Sequence, residues 1–382
     1  MRRRLVKSLL ALLAVAAAAA GYVAWPRGYG AAGPAGRPAE RGTPFDGPLG
    51  RNTYAGAVHV HVEGSSDSRL HLVDAVAEAR AAGLGFLVVT DHDTPQPLGD
   101  VRARWQDGVL LVGGTEWSTD NAHLLDLSAT PGRGPFPVVQ AARADCRRRG
   151  GPCVASHPTA WRRPWRPALA GVDGLEIHGS MAAVGDLVAA PFLELGVFTA
   201  EVLLAPSAGL WDVGAFEEPA VVLWEAWSQV QPLGAWCGAD LHGLLPVRQN
   251  VLAFLAVVGL EAPLAQDAAA AAAQLRAALG SATCVNALAG MVDGVAVEHA
   301  EGRITARARI RGQAGPAVLR LVHGGREQAR TSLSDGLEAT VTAPALPGAW
   351  RAVVEVDAPG PWGRRARPAA IRLLQVPPGS SG

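Results

Sequence analysis

The chain has 382 residues, and lysine plus arginine balance aspartate plus glutamate at 34 each. A formal net charge of zero excludes a global field that would draw in nucleic acid or an anionic membrane. An apolar content of 49% is that of a globular protein, and the length suffices for one large core and a smaller second one.

In chain order, the first segment is "MRRRLVKSLLALLAVAAAAAGYVAW", basic and then apolar, and residues 1–25 read as a signal peptide or an N-terminal membrane anchor. The expected location is therefore exported, periplasmic or extracytoplasmic and membrane-anchored, with membrane association only through this segment. Residues 26–52 are rich in proline and glycine and read as a linker. From 53 to 292 short apolar runs alternate with helical patterns. Strands are expected at 56–62, 85–90, 109–115, 123–127, 153–156, 174–177 and 235–239, with helices at 70–82 and 265–279. Strands separated by helices predict a parallel sheet, open or closed into a barrel. Residues 293–378 change character: "RITARARIR", "AVLRLVHGG" and "WRAVVEVD" alternate apolar with polar between turn residues, which predicts a small antiparallel β-sandwich. Four cysteines either pair, Cys146 with Cys153 and Cys237 with Cys284, or stay reduced and buried, and no CxxC spacing suggests a thiolate zinc site.

Eight of the ten histidines lie between positions 59 and 242. In "GAVHVHVEGSSDS", strand alternation puts His59 and His61 on one face and Val58, Val60 and Val62 on the other. Asp67 follows, as a ligand or as a helix N-cap. "VVTDHD" supplies Asp91, His92 and Asp93, "GGTEWSTDNAH" Glu116 and His123, "ASHP" His157, "LEIH" Glu176 and His178, and "GADLHG" Asp240 and His242. A single histidine at a strand end is most simply a hydrogen-bonded core residue. Six polar groups in succession, each following an apolar run, instead point to a shared cation, because charged groups at the lip of a core are costly unless paired or bound. Imidazole and carboxylate are ligands suited to zinc, iron or manganese. Asp91 and Asp93 are placed to orient His92, and His71 reads as a surface or packing residue of the helix.

The order HxH, TDH, Glu, His, SHP and Asp-x-His over about residues 55–290 resembles the polymerase and histidinol phosphatase (PHP) superfamily of metal-dependent hydrolases. The export signal and C-terminal β-domain are similar to its carbaryl-hydrolase-like branch. The resemblance implies an α/β fold, a distorted seven-stranded (β/α) barrel, with metals at the C-terminal ends of the strands. It implies two or three divalent ions (Zn, Mn or Fe) on His59, His61, Asp67, His92, Glu116, His123, His157, Asp240 and His242, with Glu116, His92 and Asp240 in the catalytic roles. The implied activity is hydrolysis by a metal-bound hydroxide, most simply of a phosphomonoester or phosphodiester. Carbamate, amide or carboxylic ester hydrolysis, or a non-catalytic metal-binding envelope protein, are the alternatives. The expected partner is a small-molecule ester, phosphorylated if "WRRPWRP" places Arg162, Arg163 and Arg166 at the mouth and is not merely a solvated loop, with His178 at a strand end facing the same site and Trp161 and Trp165 either lining it or packing under the loop. No nucleic-acid partner is expected.

Overall fold

A computed structural model describes residues 45–159, 165, 169–178, 218–243, 254–285, 291–311, 316–360 and 363–376. The expected N-terminal signal or anchor lies outside them, as do Trp161, Arg162, Arg163 and Arg166. Among the described residues no helix is long and apolar enough to cross a membrane.

The first elements are β1 (Phe45–Gly47), β2 (Gly50–Val60), α1 (Leu72–Ala81), β3 (Phe86–Val89), β4 (Ala103–Gln106), β5 (Val109–Gly113), β6 (Thr115–Ser118), β7 (His123–Asp126), α2 (Val139–Arg148) and β8 (Cys153–Ala155). They are followed by β9 (Gly174–His178), α3 (Glu218–Ser228), β10 (Gly234–Cys237), β11 (Leu255–Leu260), α4 (Ala268–Leu279) and β12 (Thr283–Val285). The last group is β13 (Met291–Ala300), β14 (Arg303–Arg311), β15 (Ala317–His323), β16 (Arg326–Leu333), β17 (Glu338–Pro344), β18 (Gly348–Gly360) and β19 (Gly363–Val376).

The local reasons are visible in the side chains. In α1, Leu72, Ala75, Val76 and Ala79 recur at helical spacing and are buried, and the helix is followed by Gly83 at φ +75°. Asp267 caps α4 by accepting from the Ala270 N–H at 2.8 Å. In β14, Ile304, Ala306, Ala308 and Ile310 are buried while the intervening positions are partly exposed, the period of two that a half-buried strand requires.

The described pairings define three sheets rather than one closed ring. One runs β16-β15-β18-β19-β12-β11-β2-β3-β5-β4, with β1 beside β2; the second runs β10-β9-β8-β7-β6; the third is β13-β14-β17. Parallel pairing holds for β2 with β3, β3 with β5, β8 with β9 and β9 with β10. The expected parallel sheet is thus mixed, because β4, β7, β11 and β12 pair antiparallel to their neighbours. The first two sheets touch through two isolated parallel bridges, Val60 to Leu241 and His92 to Glu116. The C-terminal strands are antiparallel and form both a sheet of their own and, through β12 and β19, an extension of the first sheet.

Strand β2 departs from regular alternation at the residue that matters most. Its register with β3 shifts between Val58 and Val60, and His59 sits at φ +65°. This bulge splits the three valines: Val58 belongs to the cluster with Phe86, Val88 and Leu124, whereas Val60 and Val62 pack with α1 residues Leu72 and Val76. The expectation that all three valines share a face is corrected accordingly. The two histidines still converge, with ring centroids 4.9 Å apart, but through the bulge and not through a regular pleat.

Candidate metal centre

The site assembles where the first two sheets meet. β2 brings His59 and, just past its end, His61; the turn after β3 brings His92; β6 brings Glu116; β7 opens with His123; and the segments after β8 and β10 bring His157, Asp240 and His242. Short backbone bonds hold these termini together: Leu241 N–H to His59 O at 3.1 Å, His61 N–H to Leu241 O at 2.9 Å and Glu116 N–H to Thr90 O at 3.1 Å. His59, His157 and Asp240 have positive φ values of 65°, 27° and 46°, a conformation that non-glycine residues hold only where surroundings enforce it.

Glu116 is the hub. It is fully buried, and its two oxygens divide the imidazoles between them. Oε2 lies 3.0 Å from His59 Nε2, 3.1 Å from His61 Nε2 and 3.4 Å from His92 Nδ1. Oε1 lies 2.9 Å from His157 Nε2 and 3.1 Å from His123 Nδ1, and accepts from Ser156 Oγ at 2.8 Å. Asp240 Oδ1 is 3.4 Å from His59 Nε2, 3.5 Å from His61 Nε2 and 3.5 Å from His242 Nδ1. Nearer solvent, Asp67 Oδ2 is 3.2 Å from His92 Nε2 and 3.3 Å from His242 Nε2. The nine positions expected as ligands therefore come together in one cluster.

Supporting groups fix the rings. Ser118 Oγ lies 2.9 Å from His92 Nδ1, and Ser65 Oγ lies 3.3 Å from His61 Nδ1 while donating to Asp67 Oδ1 at 2.9 Å. Asp67 is thus a member of the cluster and not the N-cap of α1, whose cap position is His71, without a side-chain capping bond. Asp93 accepts from the Ser118 N–H at 3.0 Å, so it shapes the loop rather than the His92 ring. Asp91 is buried and accepts from the Val62 N–H at 2.6 Å; burial pushes its carboxyl up to about 6. Sequence reasoning did not single out Ser65, Ser118 and Ser156, because a hydroxyl beside a ligand has no spacing signature of its own. His178 ends β9, and its side chain lies outside the described residues.

The electrostatics follow from this crowding. Burial alone would lower the pKa of His59, but the Glu176, Glu116 and Asp240 carboxylates outweigh it and hold the value well above 6.5. Burial likewise opposes protonation of His61, yet the Asp240 and Glu116 carboxylates facing its Nε2 raise it to about 9. Glu116 is held well below the usual carboxylate range: burial would raise it, and His59 and His123 overcome that. Asp240 is also depressed, against the effect of burial, by His59, His61 and His242.

The residues fit divalent cations. His61 Nε2 is buried and has no hydrogen-bond partner, although it faces two carboxylate oxygens at 3.1 and 3.5 Å. One imidazole nitrogen set between two carboxylate oxygens is an arrangement that a shared ion suits. Three overlapping groups offer ligand atoms all within 4.8 Å of one another: His61, Asp67, His92 and His242; His59, His61, Glu116 and Asp240; and His92, Glu116 and His123. Of the two readings of the cysteines, the paired one holds: Cys146 is bonded to Cys153 and Cys237 to Cys284, with Cα separations of 6.1 and 5.2 Å.

No protein-family model matches the chain, and no curated protein matches it. Among solved structures it is similar to the crystal structure of a two-domain protein containing a predicted PHP-like metal-dependent phosphoesterase from Bacteroides vulgatus. The identity is 13%, the match covers 83% of this chain and 95% of that one, and the TM-score is 0.40.

Proposed function

We propose that the protein is a metal-dependent hydrolase of ester bonds, with phosphoesters as the favoured substrate class and zinc, manganese or iron as the ion. The observation that carries this reading is the buried Glu116 carboxylate, whose two oxygens each face a separate set of imidazoles while His61 Nε2 stays unbonded. A purely structural polar core has no use for five imidazoles and a serine hydroxyl around one carboxylate, more partners than its lone pairs can accept from at once. Divalent cations bound there supply Lewis acidity, which acidifies water to a pKa of about 7 and offsets charge on the attacked group. They would be held by the three side-chain groups described above.

The chain's own residues define the rest. Exposure rises from 0% at the Glu116 side chain through 18% at His92 to 48% at Asp67, so water and substrate enter from the Asp67 side. Burial works against ionisation of Asp67, but His242 and His92 keep its carboxyl below the usual value, so it stays an acceptor at the mouth. Asp240, kept ionised by His59, His61 and His242, offers Oδ1 as an acceptor that can orient a water in the centre. The basic-then-apolar N-terminus and the paired cysteines support an exported location. The narrower likeness to the carbaryl-hydrolase branch makes carbonyl esters the second substrate class to assay.

The test is elemental analysis of purified protein together with turnover of aryl phosphates and aryl carboxylic esters. Bound transition metal and cation-dependent phosphate release are expected. Protein that neither contains nor takes up a transition ion overturns the proposal.

A further inference from the structure

Glu176 stands outside the nine clustered positions, yet it grips two of them at once. Its carboxylate is buried at 1% exposure in β9. Oε1 lies 2.7 Å from His59 Nδ1, and Oε2 accepts the backbone N–H of His157 at 2.6 Å and Ser156 Oγ at 3.3 Å. Both residues it holds carry the left-handed backbone described above, which persists only when something fixes it. Space for the carboxylate is reserved at Gly238, where a Cβ would fall 1.4 Å from Oε1. One side chain thus bonds β2 to the loop after β8 and packs against Gly238 after β10.

We propose that Glu176 is a positioning residue of the metal centre, an inference that rests on the metal-dependent reading. By accepting Nδ1–H of His59 it selects the tautomer whose bare Nε2 faces Glu116 Oε2 and Asp240 Oδ1, at 3.0 and 3.4 Å. By holding the His157 N–H it sets that ring against the other oxygen of Glu116. The two imidazoles on opposite oxygens of the hub are therefore aligned by one carboxylate. Ser156, which donates between Glu116 Oε1 and Glu176 Oε2, links the two acids directly.

Glu176→Gln preserves shape but provides an amide that accepts from only one of the two donors and opposes the other. Zinc affinity, read by competition with a chromogenic chelator, is expected to fall about 10–100-fold with the circular-dichroism spectrum unchanged, and Glu176→Asp should recover part of it. A Gln variant that binds zinc within about twofold of wild type overturns the inference. Nitrogen-15 NMR of the zinc-loaded wild-type protein gives an independent reading that survives any folding defect of the variant. A proton on His59 Nδ1 with the ion on Nε2 is expected, and the reverse arrangement overturns the assignment. Wild-type protein that takes up no zinc overturns this inference and the hydrolase reading together, whereas wild-type uptake with an unaffected Gln variant overturns this inference alone.

Discussion

Stripping the centre of cations should reverse the usual dependence of stability on pH. In the cation-free protein the His61 imidazole lies at about 9 in place of 6.5. At about 1.4 kcal/mol per tenfold change, that single group contributes about 3 kcal/mol, with little solvent screening because the side chain is fully buried. The stabilisation is complete below pH 6.5 and is lost as pH rises through about 9. His59, also raised, adds in the same direction, while Glu116 and Asp240 stay ionised throughout and contribute no slope there. Cation uptake needs the same nitrogens without protons, so at about pH 7.5 binding should release roughly one proton or more, and affinity should rise with pH. Urea unfolding of chelator-treated protein across that range tests the first half. Calorimetric zinc titrations in two buffers of different ionisation heat test the second. A stripped protein whose stability is flat or rising between neutrality and about pH 9, with no proton release on zinc binding, would refute the reasoning.

Replacing His59 and His61 together with alanine should remove cation binding and turnover, read by elemental analysis and phosphate release; retained turnover contradicts the assignment. Asp126 accepts from Trp117 Nε1 at 2.9 Å, from Ser128 Oγ at 2.6 Å and from Arg149, so Asp126→Asn should cost about 3 kcal/mol by urea unfolding at neutral pH. Burial opposes ionisation of that carboxyl, but the Arg149 and Ser128 bonds hold it below 3.8, so its contribution is present above that pH and lost as pH falls through the lower folded value. The Asn variant should therefore lose less stability than wild type on acidification. Trp350→Ala, at a fully buried side chain whose Nε1 donates to Leu346 O at 2.8 Å, should cost about 3–5 kcal/mol, seen as a lowered thermal midpoint. Deleting residues 293–382 should give an aggregating product, because β12 loses its β19 partner and the apolar cluster shared by Val257, Val285, Leu319 and Val354 is opened; a monodisperse fragment by size-exclusion chromatography would contradict this.

The sequence was most informative where a polar pair follows an apolar run. His59 and His61, Asp240 and His242, and the C-terminal alternation all lie where those patterns place them. Register was not legible: nothing in "AVHVHV" announces a bulge, since the valines look alike whichever face they take. Strand β2 begins at Gly50, inside the stretch read as a linker, because glycine content hid a strand that β11 pairs from the other side. A three-residue strand such as β12 draws its existence from β19, distant in the chain, and only the fold supplies that partner. Glu176 was visible as a residue at a strand end, but its link to His59 crosses 117 positions and no spacing rule reaches that far.

The disulfides bear on how firmly the candidate centre is held from behind. Cys153 lies four residues before His157 and Cys237 three before Asp240, so each bond anchors the approach to a ligand. Joined to each other, the sulfurs are not free to coordinate, and the clustered side chains offer only nitrogen and oxygen.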